Sequence, residues 1–313
     1  MLRNGSKYYF SQLAEGEKNL YVNICGALDR FEPALSLHAG MGRPFTVDMQ
    51  KILRYVLLDN PGYFYLNKSC VVIKQTPMYI QLCFQYDYTR AEAEALDGGL
   101  KEQIAGFMSE HITPGMSPLA KQLEVHKYLQ STVTPQQGDT DRDSYSVVGA
   151  LLRRSCVCEG FAKGYKLLCD YLKIASIVVT GEALWEGGRV PHAWNITRIK
   201  NVTAHSDITW DTIAGVGSYD YFNLCDADMA ADHSFDAALY PKCPPNRINY
   251  FYKNELIAAN EDEARKIIAA NAGRDFFSIK LLFPITPERL PALGFPPGKL
   301  RFNETQNVIM YSK

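Results

Sequence analysis

The 313-residue chain has almost no net charge: 33 Lys and Arg stand against 34 Asp and Glu, a balance of −1. A dedicated nucleic-acid binder carries a basic excess or a clustered basic face, and neither is visible, so nucleic acid is not an expected partner. Long apolar runs are also missing. The longest candidate, Val147 to Leu152, is six residues, against the roughly 18 that a membrane span needs. The opening residues Met1-Leu2-Arg3-Asn4-Gly5-Ser6 hold no apolar segment of the kind an export signal uses. As written the chain reads as cytoplasmic, the alternative being a secreted or cell-surface protein trimmed of its signal. There is no internal repeat and no low-complexity stretch. With 47% hydrophobic and 21% charged residues the chain is not a disordered one. Its length suggests about two domains at roughly 150 residues each, and a core that needs no staples.

The eight cysteines are scattered: Cys25, Cys70, Cys83, Cys156, Cys158, Cys169, Cys225 and Cys243. Most sit in apolar segments, where a free cysteine behaves as a small hydrophobe. Their even number permits disulfides without requiring them. Cys156-x-Cys158 is half of a metal-binding pattern, but no second pair at ligand spacing accompanies it. Neither a metal nor a cofactor is expected.

Periodicity divides the chain into three parts: 1–90, an N-terminal α+β region; 91–243, a central core; and 244–313, a C-terminal strand-helix-strand extension. In the first, helical spacing covers Ser11 to Arg30 and Pro44 to Leu58, and strand-like runs cover Tyr63 to Lys74 and Pro77 to Tyr88. The second opens with helices near Ala91 to Glu110, Pro118 to Ser131 and Ser144 to Arg153. A polar loop, Thr134 to Asp143, separates the last two. A further helix, Glu159 to Leu172, carries the stripe Phe161, Tyr165, Leu168 and Leu172. Strands follow at Ala175 to Gly181, His192 to Ile199, His205 to Asp211 and Tyr219 to Leu224. The third part shows a strand at Asn249 to Tyr252, a helix at Glu261 to Ala270 and a strand at Phe277 to Phe283.

Cys158 stands at the expected start of a helix. Unpaired N–H groups and the positive end of the helix dipole favour thiolate there, which is how a nucleophilic cysteine is activated. Cys156 is the decoy two residues earlier. His192 opens a strand on which His192, Trp194 and Ile196 share a face. Asp207 lies 15 residues on, within reach of the neighbouring antiparallel strand, where a carboxylate orients an imidazole. Asp211 is its competitor, on the same strand face about 13 Å further along, and His205 shares the face of Asp207. The group Asp226, Asp228, Asp232, His233 and Asp236 reads as helix caps rather than as a metal site. His126 lies on an apolar stripe and reads as a buried, hydrogen-bonded core residue.

Taken in order, these blocks resemble the transglutaminase-like superfamily of papain-like cysteine enzymes, and especially its bacterial transglutaminase-like or peptidase-like domain proteins. The residues that carry the resemblance are His126-Lys127-Tyr128-Leu129, Gly149-Ala150-Leu151, Val157-Cys158-Glu159-Gly160-Phe161-Ala162, His192-Ala193-Trp194-Asn195 and Ser206-Asp207-Ile208-Thr209-Trp210-Asp211. The resemblance spans about residues 115 to 236. It departs from the family at Lys200 to His205, where glycine and aromatics are usual, and at Phe161, where tyrosine is commoner.

The resemblance implies an α+β protein with a papain-like, transglutaminase-like core, a helix-start cysteine packed on an antiparallel sheet, and an N-terminal α+β extension. It implies Cys158 as nucleophile, His192 as general base and acid, and Asp207 as orienting carboxylate. The backbone N–H of Cys158 is the natural oxyanion donor. Tyr145 and Gln137 are side-chain candidates for a second donor, and Trp194 and Asn195 for support. The expected activity is acyl transfer on a peptide or protein substrate through a thioester, resolved by water as a peptidase or amidase. Resolution by an amine, as in a crosslinking transglutaminase, is the alternative. A non-catalytic scaffold binding peptide or cell-wall material is the rival of a different class. The oligomeric state is left open.

Overall fold

The computed structural model describes residues 5–38, 47–138 and 140–313. The chain is α+β. Helix α1 (Glu15–Asp29) leads to strand β1 (Ala34–His38), helix α2 (Met49–Asp59) and the hairpin β2 (Val72–Thr76) and β3 (Tyr79–Cys83). These strands form an antiparallel sheet in the order β1-β3-β2. Asp48 starts α2 by accepting the Lys51 N–H at 3.0 Å, as a side-chain oxygen at an N-cap does. The helix expected from Pro44 therefore begins later, and residues 44–46 lie outside the described ones. The aromatic stretch Tyr63 to Leu66 is not strand but turns that bury Tyr63, Phe64 and Tyr65.

Helix α3 (Arg90–His111) opens on a capping box between Thr89 and Glu92, and α4 (Pro118–Thr132) on the Ser117 cap with proline in the first turn. The single helix expected over Ser144 to Arg153 is instead a 3-10 turn, Arg142–Tyr145, and a wide π turn, Gly149–Arg153. Ser146 explains the break. Its hydroxyl donates to the Asp143 carbonyl and accepts from the Val148 N–H, and such local bonds compete with the helical ladder.

Helix α5 (Cys158–Tyr171) buries its expected stripe of Phe161, Tyr165, Leu168 and Leu172. Full withdrawal of a side chain such as Phe161 or Leu168 contributes about 1.5–3 kcal/mol. The helix ends in a Schellman arrangement: Lys173, left-handed at φ 61°, donates to Asp170 and Ile174 donates to Cys169. It packs on an antiparallel sheet of β4 (Ala175–Trp185), β5 (Gly188–Ile199), β6 (Val202–Ser206), β7 (Phe222–Leu224) and β8 (His233–Ser234), ordered β8-β4-β5-β6-β7.

The strand expected over His205 to Asp211 stops at Ser206. Ile208, Thr209 and Trp210 favour strands by composition, but Asp207 caps helix α6 (Ile208–Ala214) by accepting the Thr209 and Trp210 N–H groups. A second local cap corrects the C-terminal part. Asn249 starts a short helix, Tyr250–Lys253, where a strand was expected. Strand β9 (Ile257–Ala258), helix α7 (Glu261–Asn271) and strands β10 (Phe276–Leu281), β11 (Lys299–Asn303) and β12 (Val308–Ser312) follow, in the sheet order β9-β10-β12-β11. This sheet has its own core around Ile268, Ile279, Ile309 and Tyr311. Side chains on both sides of residue 90 share the main core, among them Ile24, Ile52, Leu129 and Phe161. No helix among the described residues is long and apolar enough to cross a membrane.

Candidate active site

Cys158 is the first residue of α5, after an extended Val157. The thiol thus sits where the first N–H groups of the helix have no partner one turn back. The turn that presents it is tightly backed. A Cβ added at Gly160 would lie 2.4 Å from the Ser144 carbonyl oxygen and 2.6 Å from the Cys156 Cβ. Only glycine lets the helix start approach that closely. Cys156, the decoy, is fully buried, and burial pushes its thiol well above the usual range.

His192 stands on β5 opposite Gly181 of β4, and Asp207 follows the end of the adjacent strand β6. His192 Nε2 and Asp207 Oδ2 are 2.6 Å apart. Cys158 and His192 line the same cleft, and the thiol lies close enough to favour the charged imidazole. With Nε2 committed to Asp207, Nδ1 is the nitrogen left for sulfur. The structure therefore joins His192 to Asp207 and places Cys158 beside His192 in one cleft. Burial alone would depress the imidazole, yet the Asp207 carboxylate, by charge and hydrogen bond, and the Cys158 contact raise it to about 10. Asp207 is itself fully buried. Burial pushes its carboxyl up, but His192 and then His233 hold it well below the usual carboxylate range. Its other oxygen, Oδ1, accepts the Thr209 and Trp210 N–H groups at 2.9 and 3.2 Å.

The competitors lie elsewhere. Asp211 is one helical turn past Asp207, buried, 3.0 Å from His126 Nε2, and it accepts from Ser218 Oγ and the Tyr221 N–H. His126 is thus buried among core side chains with a carboxylate partner. His205 accepts the Trp194 indole N–H at Nδ1, 3.0 Å, and faces Asp226 through Nε2, 2.9 Å. Trp194 packs beside His192, with ring centroids 6.0 Å apart. Asn195 stitches strand to helix, donating to the carbonyls of Ala162 and Ile177. Tyr145 lines the cleft over Cys158, and Gln137 is not among the described residues that line it.

That cleft has a volume of about 830 Å³. One wall comes from the N-terminal region, with Leu53, Arg54, Leu57, Val71 and Ile73, and the other from Thr180, Glu182 and Pro191 around His192. At its rim Glu159 bridges Lys68 at 2.6 Å and Lys163 at 2.7 Å. Burial works to raise the Glu159 carboxyl, but Lys163 and Lys68 bring it down to about 2. This triad ties the N-terminal region to the helix start that carries Cys158.

His233 is the site residue that the sequence reading passed over. It sits on the two-residue strand β8, and its Nε2 lies 3.1 Å from Asp207 Oδ2 while its Nδ1 lies 2.6 Å from Asp232 Oδ1. Asp232 and His233 are therefore not helix caps, whereas Asp226 does lie in a first turn and Asp236 does cap one. Too short a strand for periodicity left only one signal, an acidic residue beside a histidine.

Among the described residues two clusters have the donor types of a metal site, His192–Asp207–His233 and His205–Asp226–Cys243. In the first, His233 directs both ring nitrogens at carboxylates. In the second, the indole N–H occupies Nδ1 of His205, which leaves the ring proton on Nε2 toward Asp226. Burial pushes the Cys243 thiol up to about 12. Hydrogen bonds therefore satisfy both clusters, and a cation would have to displace the protons that make them.

The fold is α+β, with a helix-start cysteine packed on an antiparallel sheet. No protein-family model matches the chain, and no curated protein does. Among solved structures it is similar to one described as a TGase, at 16% identity over 56% of this chain and 50% of that one, with a TM-score of 0.33. It is also similar to a candidate cysteine protease from Cytophaga hutchinsonii, at 15% identity over 44% and 61% of the two chains, TM-score 0.31. A candidate protease from Parabacteroides distasonis matches at 8% identity over 43% and 35%, TM-score 0.28. Each match spans less than two thirds of the other protein. The chemistry below rests on the geometry of this site.

Proposed function

We propose that this chain is a thiol-dependent acyl-transfer enzyme that hydrolyses a peptide or amide bond. What supports this reading is the 2.6 Å contact of His192 with Asp207 and the place of Cys158 beside His192 in one cleft. Cys158 as thiolate attacks the substrate carbonyl carbon. The oxygen that gains charge faces the Cys158 N–H at the helix start. His192, as imidazolium, gives its proton to the departing amine, and a thioester remains on Cys158. His192, now neutral, takes a proton from water as the oxygen of that water attacks the thioester. The acid leaves, and the thiolate and imidazolium are restored. Asp207 keeps the imidazole oriented and its charged form stable throughout.

Water as acceptor is favoured because Cys158 is half-buried at the foot of an 830 Å³ cleft that water reaches. An amine acceptor needs an additional site to hold it. The test is a library of peptides and simple amides offered with and without millimolar lysine analogue. Release of free acid, lost in Cys158→Ala, supports hydrolysis. Predominant incorporation of the amine makes the protein a crosslinking enzyme, and failure of both reactions favours the binding-scaffold reading.

A further inference from the structure

Asp207 is shared. Its Oδ2 faces His192 Nε2 at 2.6 Å and His233 Nε2 at 3.1 Å, so one oxygen receives two imidazoles. His233 has no nitrogen left to accept with, since Nδ1 faces Asp232 Oδ1 at 2.6 Å. An imidazole whose two nitrogens both face carboxylates donates from both and is an imidazolium. The pocket holds it in that state. Tyr221 donates its hydroxyl to the second oxygen of Asp232 at 2.6 Å, and the rings of Trp194 and Trp210 close the remaining sides. Asp232 and His233 are buried. The two histidines and the two aspartates thus form one line, His192–Asp207–His233–Asp232, with Cys158 lining the cleft beside His192.

We propose that His233 is a positioning residue of this site: as a cation clamped between Asp207 and Asp232, it shares the Asp207 carboxylate with His192 and so sets how readily His192 gives up its proton. This rests on the acyl-transfer reading. With Asp207 alone, His192 would hold its proton more tightly and be a poorer acid toward a departing amine. A second cation on the same oxygen weakens that hold. The rings of His192 and His233 are 5.4 Å apart. Two unit charges at that distance shift one another by up to about two pH units at an effective dielectric of about 20. The other titratable groups do not blur the direction. His192 faces Cys158, Asp207 and His233. His233 faces Asp207, Asp232, Tyr221 and His205, and burial lowers His205 to about 4 so that it is neutral. Burial keeps Tyr221 protonated.

The experiment is a titration of the imidazole nitrogens by NMR in the full chain, wild type and His233→Gln, between pH 5 and 12, so that a His192 midpoint near 10 can be followed upward. Glutamine retains a donor near the position of Nε2 and removes the charge. The expected result is an upward move of the His192 midpoint, by up to about two pH units. An unmoved or lowered midpoint in a folded variant overturns the proposal. Asp232→Asn is the second variant, used also if the first does not fold. It should bring the His233 midpoint down and the His192 midpoint up. Two unmoved midpoints there overturn the proposal equally. Iodoacetamide reactivity of wild-type Cys158, measured alongside, separates the two ideas. An inert Cys158 defeats the acyl-transfer reading, whereas the His192 midpoints decide the role of His233.

Discussion

Asp207→Asn isolates the charge of the shared carboxylate from its other duty. Asparagine is a good N-cap, so the Thr209 and Trp210 N–H groups keep an acceptor and α6 keeps its start. The other oxygen becomes an NH₂ facing two imidazole N–H groups, at positions now 2.6 and 3.1 Å from Asp207 Oδ2. Removing one member of a fully buried pair costs about 3–5 kcal/mol. The pH dependence of that loss follows from the histidines. His192 is raised to about 10, and His233 is raised as well, by Asp207 and Asp232 against the opposing effect of burial. A raised folded-state value stabilises fully below the unfolded value of about 6.5, and that contribution fades as pH climbs through the folded value. Urea unfolding of wild type and variant should therefore differ most near pH 6 and converge toward pH 10. The imidazole should also fall into the wrong tautomer, with a loss of turnover on the order of 10³–10⁴. A stability difference that stays constant, or widens, between pH 6 and 10 would refute the coupling of Asp207 to these histidines.

Three other substitutions have expected outcomes. Asp211→Asn disturbs a fully buried carboxyl that accepts from the Ser218 hydroxyl and the Tyr221 N–H and should cost about 1–3 kcal/mol in denaturant titration, while the folded fraction retains its Cys158 reactivity. Gly160→Ala places a methyl 2.4 Å from the Ser144 carbonyl oxygen. The helix start must move, so Cys158 alkylation should slow by more than stability alone explains. Trp194→Phe removes the indole N–H that His205 accepts. Unfolding free energy should drop by about 1 kcal/mol, with the order of cysteine labelling unchanged.

The parts of this fold that were legible are those in which one pattern repeats over many residues. The apolar stripe from Phe161 to Leu172 announced α5, and with it the position of Cys158 at a helix start. The long runs of β4 and β5 placed His192 on a strand beside a partner. What escaped the reading was decided by single side chains. Asp207 turns Ile208-Thr209-Trp210 from strand to helix by capping it, and Asn249 does the same for Tyr250 to Lys253. Ser146 splits the expected helix after Ser144 by bonding to its own backbone. His233 reaches Asp207 from a two-residue strand that crosses to β4 from far along the chain, and no local periodicity marks such a residue.

The central claim is that Cys158 is an activated nucleophile paired with His192, and alkylation at pH 6 tests it most directly. An ordinary thiol near pKa 8.5 is only about 0.3% thiolate at that pH. Limited iodoacetamide treatment followed by mass mapping should label Cys158 well ahead of the partly exposed Cys25, Cys70 and Cys83 and of the buried cysteines. His192→Ala should abolish that lead. Labelling of Cys158 no faster than Cys70 in the wild type, or an undiminished lead in the His192→Ala protein, would contradict the account.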